Sequence, residues 1–227
     1  KLTLMDKWVL SRLNQLVKRV DDDLTNYRIP EPARAITEFV DDLSNWYVRR
    51  CRERFWGKGM DDTKEAAFVT LYTVLVTLSK VIAPFVPFMA EDMYQNLVRG
   101  VDPAAPQSVH LCDFPIADES LIDENLNTQM SALLSVVGLG RACRAAANLK
   151  VRQPLSTLYV KGTAFGDDFR ALAEDELNVK SVVFTDDARA FTTYNLKPQM
   201  RTLGPKYGKL LGQIGQKLKE LDGNDVV

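Results

Sequence analysis

Histidine is the side chain most often used as a general base near neutral pH, and this sequence holds one, His110, in a proline-rich stretch. A nucleophile activated by histidine needs that base oriented by a third group. No such spacing surrounds His110, so it reads as a loop bystander. No glycine-rich loop is followed by Lys-Ser or Lys-Thr to cradle a phosphate. Gly138 and Gly140 fall in a helical pattern, where close packing accounts for them better than a ligand does. Acidic groups such as Asp21, Asp22 and Asp23, or Asp41 and Asp42, suit solvated helix faces. Cys51, Cys112 and Cys143 contain no Cys-x-x-Cys pair, so a zinc knuckle is not expected and reduced thiols are the default. The sequence therefore offers no catalytic, cofactor-binding or metal-ligating set.

Local charge offers more. The net charge is −1, from 29 basic and 30 acidic residues, so any affinity for a polyanion must come from how the charges are distributed. Arg49, Arg50, Arg52, Arg54 and Lys58 crowd one short run with Glu53 as its one acid, and Phe55 and Trp56 are interleaved with them. Arg141, Arg144, Lys150 and Arg152 form a second acid-free run, and residues 197–219 form a third. Cations neutralise phosphates and release counterions, while exposed rings and guanidinium planes stack on splayed bases. Such zones suit single-stranded or looped RNA. Basic residues near a helix C-terminus also complement its dipole. Trp46 and Tyr47 continue an apolar stripe and read as core, whereas Trp56 fits either role. On pattern alone, RNA binding and a helical protein-interaction module without RNA binding stay equally open, and a stand-alone enzyme with an unfamiliar site is a third reading.

The elements that position these runs are mainly helical. At 227 residues and 46% hydrophobic, the chain can bury a sizeable core without disulfides or metals. Apolar residues recur every three or four positions from Met5 to Leu24 and again from Ile36 to Tyr47. A third helix follows Asp61, with an almost wholly apolar body from Ala66 to Ile82, and Pro84 and Pro87 end it. A shorter helix through Met89 and Leu97, a long loop over 100–115 and a fifth helix over 123–147 complete a bundle. No apolar run approaches the roughly 18 residues of a membrane span, and no signal-peptide layout opens the chain. After Pro154 the composition shifts. Strands are predicted at 158–160, 179–184 and 191–196, with a helix at 167–177 and a last amphipathic helix over 207–221. The expected class is mainly α, with a helical bundle over 1–153 and a small α+β unit over 154–227.

Several runs carry a resemblance. The stretch from Asp6 to Asn14 (Asp-Lys-Trp-Val-Leu-Ser-Arg-Leu-Asn) resembles the opening of the anticodon-binding domain of class Ia aminoacyl-tRNA synthetases. Residues 39–50, continued through Arg54, Phe55 and Trp56, are similar to the isoleucine–tRNA synthetases; this last run argues against the valine enzymes, the nearest alternative. Residues 83–91 (Ala-Pro-Phe-Val-Pro-Phe-Met-Ala-Glu) resemble the proline-rich junction shared by the isoleucine, valine and leucine enzymes. Residues 149–155, 176–180, 196–198 and 203–206 resemble the link to the following junction domain and parts of that domain.

The resemblance implies, for a full-length enzyme, isoleucine activation with ATP and magnesium (zinc being optional) and transfer to isoleucine tRNA, with editing of mischarged valine. The catalytic and editing signatures of that family are absent here, so the chain reads as a non-catalytic piece of a longer, monomeric, cytoplasmic protein. Its expected partners are the anticodon stem-loop of isoleucine tRNA and the catalytic and editing domains of the same chain, with no membrane. The expected tRNA contacts are Arg49, Arg50, Arg52, Arg54, Phe55, Trp56, Lys58, Lys150 and Arg152. Helical geometry would put Arg50 and Arg54 on one face and Arg49 and Arg52 on a neighbouring one.

Overall fold

A computed structural model of the chain describes residues 1–162, 164–187, 191 and 196–220, with residues 219 and 220 described by backbone alone. By contacts it divides into two compact units, Lys1–Ser131 and Ala132–Val227. That division falls inside a helix, ahead of the change in composition near Pro154.

In the first unit, α1 (Leu4–Thr25) opens on a capping box in which Thr3 and Asp6 satisfy each other's backbone N–H groups. Its stripe of Trp8, Val9, Leu13, Leu16, Val17 and Val20 is buried. The helix ends with Tyr27 at φ 58, a left-handed position that usually takes glycine. The N–H groups of Tyr27 and Arg28 close back onto the carbonyls of Leu24 and Asp23.

The second stripe is less regular than a single helix. Helix α2 (Pro30–Asp42) begins with proline in its first turn, runs into a π-helical turn at Leu43–Val48, and is followed by the short α3 (Arg52–Trp56). Ala35, Phe39, Leu43, Tyr47 and Cys51 are all buried, at every fourth position. An α-helix turns about 100° per residue, so each step of four drifts by about 40°, and four steps by about 160°. The wider π winding takes up that drift and keeps all five on the core side.

Helix α4 (Asp62–Ile82) is capped by Asp61, whose carboxylate accepts from the Lys64 N–H at 2.8 Å. Among the described residues it is the one helix long and apolar enough by composition to cross a membrane. Here it contacts α1, α3 and α5 (Pro87–Tyr94) and buries Ala67, Val74, Leu78, Val81 and Ile82. A second π-helical turn, Gln95–Arg99, continues α5. The connection after it lies along the surface but is tied down. Glu91 accepts from the Ser108 hydroxyl and the Val109 N–H at 2.8 and 2.9 Å, and the Tyr94 hydroxyl donates to Pro106 O. A hydrogen bond from Gln95, with those from the Ser108 hydroxyl and the Val109 N–H, holds the Glu91 carboxyl below its ordinary pKa.

Helix α6 (Glu124–Ala146) carries the chain from one unit into the other. In the second unit it ends on Asn148 in the left-handed region, with the Leu149 N–H returning to Arg144 O. Strands β1 (Leu155–Lys161) and β2 (Val179–Thr185) pair in parallel, Leu155 opposite Val179 and Tyr159 opposite Val183, with α7 (Asp167–Leu177) as the crossover. The predicted strand at 191–196 lies outside the described residues except for its two ends. The last amphipathic pattern is a pair of helices: α8 (Met200–Tyr207), a 3-10 turn at Gly208–Leu210, and α9 (Leu211–Glu220). Gly208, a poor helix former, stands at the break, which falls after α8 has run through Pro205.

Candidate nucleic-acid interface

The five cations of the run 49–58 do not act alike. Arg54 belongs to a buried network. Its Nη1 and Nη2 each donate at 2.9 Å to a different oxygen of Asp6, whose side chain is wholly buried. Nη2 also donates to Thr63 O at 2.7 Å, and Nη1 to the Thr3 hydroxyl at 3.1 Å. Tyr47 completes the set, donating to Asp6 Oδ1 at 2.8 Å and to Ala67 O. Burial pushes the Asp6 carboxyl up, yet the hydrogen bonds from Arg54, Thr3 and Tyr47 outweigh it and hold the pKa below the ordinary carboxylate value. Burial and the Asp6 carboxylate push the Tyr47 phenol up. Arg54, expected as a phosphate contact, thus has its guanidinium turned inward, because a buried carboxylate without a cation is costly.

Phe55 is also drawn inward. It is half-buried, edge-on to Tyr47 with ring centroids 6.3 Å apart and edge-on to Phe68 at 5.3 Å. Trp56 is the displayed ring, at 71% exposure. The Arg52 guanidinium lies over it, 4.0 Å from the ring centroid. One turn earlier, the Arg49 guanidinium lies 5.6 Å from the centroid of Trp46, which is half-buried, whereas Tyr47 is fully buried.

Between the π-helical turn, α3 and α4 runs a groove of about 480 Å³. Its apolar walls are Val48, Phe55, Trp56, Phe68 and Leu71. Its polar lining is Ser44, Arg49 and Arg52. Arg49 and Arg52 therefore share one site, while Arg50 is half-buried and Arg54 is committed to Asp6. Lys58 is exposed in the turn after α3.

The groove walls Phe68 and Leu71 were not among the expected contacts. They sit in a helix that is apolar almost all round, so no periodicity marks the face left open; in the structure Phe68, Val69 and Tyr72 are 45%, 58% and 44% exposed.

Lys150 and Arg152 are exposed in the second unit, on the turn between α6 and β1. Arg144 holds that turn. It is 4% exposed and donates to the carbonyls of Lys150, Gln153, Leu177 and Asn178. Arg141 pairs with the buried Glu176. The second basic run is accordingly half structural. Gly140 meets the close-packing expectation, since a Cβ there would lie 2.6 Å from the Leu177 side chain; Gly138 has open space. His110 is exposed in a 3-10 turn, Val109–Leu111. Among the described residues, no group of three or more His, Cys, Asp or Glu side chains could hold a metal ion.

Residues 6–159, more than half of the chain, match the family described as "Anticodon-binding domain of tRNA ligase". The chain belongs to that family. Within the anticodon-binding match lie the whole basic and aromatic run, the groove, and Lys150 and Arg152. The chain is similar to isoleucine–tRNA ligase of Clostridium acetobutylicum, 49% identical over 219 residues, which cover 96% of this chain and 21% of that protein. It is 45% identical over 219 residues to isoleucine–tRNA ligase of Clostridium tetani, again 96% of this chain and 21% of that protein. Isoleucine–tRNA ligase 2 of Bacillus cereus is 44% identical over 230 residues, covering 100% of this chain and 22% of that protein. The chain thus spans about a fifth of the length of these curated relatives.

Proposed function

We propose that this chain is the tRNA-holding part of an isoleucine–tRNA ligase and grips the anticodon stem-loop of isoleucine tRNA. The observation that carries this reading is the exposed Trp56 ring capped by Arg52 beside an Arg-lined groove, in a chain of the anticodon-binding family. Arg49, Arg50, Arg52 and Lys58 supply cations for phosphates, and Trp56 a face for a base. Phe55 backs the groove, and Arg54 fixes α3 through Asp6. Lys150 and Arg152 give a second phosphate contact at the joint between a bundle (1–153) and a junction domain (154–227). Phosphate contacts set register, and loop bases carry the distinction between anticodons.

Held in this way, the anticodon fixes where the acceptor end lands in a monomeric, cytoplasmic ligase. ATP and magnesium, and zinc where it is used, belong to the chemistry of that whole enzyme. No described cluster of side chains fits a metal, and no step here runs through these groups.

The test is binding of this chain to isoleucine tRNA and to an anticodon-swapped copy across a salt series. Preference for the native anticodon with a steep salt slope supports the reading. Equal binding to both would reduce the chain to a phosphate clamp, and binding to neither would refute the proposal. The protein-interaction reading keeps one observation of its own: Val86, Phe88 and Met89 at the start of α5 are 44%, 91% and 64% exposed.

A further inference from the structure

A second groove in the first unit shares no residue with the site given to tRNA. It runs between the last turns of α1 and the strap that leads into α6, and holds about 470 Å³. Phe114, Pro115 and Ile116 form an apolar wall. Asp21, Asp22 and Glu119 set three carboxylates against the ammonium of Lys18. The strap is pinned, since the N–H groups of Asp118 and Asp123 donate to the Asn14 and Ser11 side chains of α1 at 2.8 and 2.9 Å. Yet it turns Ile116 outward, at 95% exposure, and Tyr27, just past the groove's Thr25, is 91% exposed. A held backbone that displays a large apolar side chain offers a partner an anchor point at little ordering cost.

Charge narrows the partner. Asp113, Asp118, Glu119, Asp123 and Glu124 lie along the strap, and no Lys or Arg falls among them. Lys18 and Arg28 pair with Glu119 and Asp22, but these pairs are exposed and so weak and exchangeable. Such a surface repels phosphates, whether of RNA or of an anionic lipid headgroup. Two copies of it face to face would oppose like charges, which disfavours a symmetric dimer here. A bare cation would leave the apolar wall unused.

We propose that this groove docks a basic peptide segment of another protein. An apolar side chain of that segment seats against Phe114 and Ile116, and its lysines or arginines face Asp21, Asp22 and Glu119.

The probe is a fluorescein-labelled synthetic peptide of alternating lysine and leucine, followed by anisotropy as this chain is titrated in over a salt series. It should bind saturably, and more weakly as salt rises. Copies with serine for leucine, or with glutamate for lysine, should not bind. Ile116→Ser should weaken binding roughly 10-fold or more, the effect of losing one aliphatic anchor. Asp21→Lys should weaken it too and flatten the salt dependence. Both side chains are exposed, so circular dichroism should show an unaltered fold. Phe88→Ser removes an exposed ring outside the groove and should change nothing. Equally tight binding of the lysine–serine copy, or of spermidine, would overturn the proposal by reducing the groove to a charge effect. Binding of the glutamate–leucine copy, or an equal loss in Phe88→Ser, would overturn it as general apolar adhesion. Unchanged affinity in both Ile116→Ser and Asp21→Lys would overturn it by placing the probe elsewhere on the chain. Failure of a full-length ligase containing this chain to take up the probe would overturn it as well, leaving the groove to that protein's own remaining domains. None of these readouts involves tRNA, so the outcome stands apart from the tRNA-holding reading.

Discussion

Arg54 and Asp6, 48 residues apart, face each other through two parallel hydrogen bonds of 2.9 Å, with the carboxylate wholly buried and the guanidinium mostly so. This fork joins the first turn of α1 to α3, and through Thr63 O to the start of α4. Bidentate pairing of this kind is geometrically selective. It sets the direction in which α3 leaves Cys51, and so where Arg52 and Trp56 point.

The first prediction concerns stability. Arg54→Met should cost about 3–5 kcal/mol, because it strands a buried carboxylate. In an Asp6→Asn background the same substitution should cost far less, the two residues being coupled. Urea unfolding of the four chains measures this. Equal costs in both backgrounds would show that the fork contributes nothing.

Acid should expose the same pair. Asp6 has its folded pKa held below the ordinary value, which is about 3.9. A depressed acid contributes stability above its unfolded pKa and loses it as pH falls through the folded one, so this part of the stability fades below about pH 4. Asp42 runs opposite. Burial raises its pKa despite Arg12, so its contribution grows less favourable as pH rises through that value. Unfolding free energy followed between pH 6 and pH 2 should therefore fall less steeply in Asp6→Asn and more steeply in Asp42→Asn. Superimposable profiles for all three would contradict the assignment.

How far the sequence foretold this depends on whether a feature is local. The stripe of α1, the helix start at Asp61, and the β-branched strands around Val160 and Val182 show in residue type and spacing, so they were legible. The π winding was not, since burial at every fourth position looks helical whether the turn is tight or wide. Helix α8 was missed because Gly204, Pro205 and Gly208 look like punctuation. In the site, the cations and the tryptophan were legible as a cluster. That Arg54 turns inward was not, because its partner is distant in sequence. Phe68 was hidden in a helix without a polar face.

Arg144 carries a prediction for the second unit. A guanidinium at 4% exposure spans four carbonyls, two on the turn after α6 and two where α7 gives way to β2. It also sits at the negative end of the α7 dipole. Arg144→Met would leave those acceptors without their charged donor and should cost about 2–3 kcal/mol or more. Arg144→Lys should fall between, since an ammonium cannot reproduce the fork. Limited proteolysis should cut both variants faster within residues 147–154. Protection equal to that of the unaltered chain would show that the turn is held by other means.

The last prediction separates charge from stacking at the proposed interface. Arg52 lies over Trp56, so removing either disturbs both, but in different ways. Arg52→Gln deletes one cation and should lower the slope of log affinity against log salt by somewhat under one unit if it meets a phosphate. Trp56→Leu keeps the charge and removes the ring. It should weaken tRNA binding by about 1–3 kcal/mol at every salt concentration, with the slope unchanged. Trp56 is exposed and Arg52 makes its described contact with that ring, so neither substitution should change the unfolding free energy by more than about 0.5 kcal/mol. Affinity measured from 50 to 300 mM salt distinguishes the two effects. If both variants bound tRNA as the unaltered chain does, the Arg52 and Trp56 pair would be surface packing, and the contact face would have to lie elsewhere in the chain.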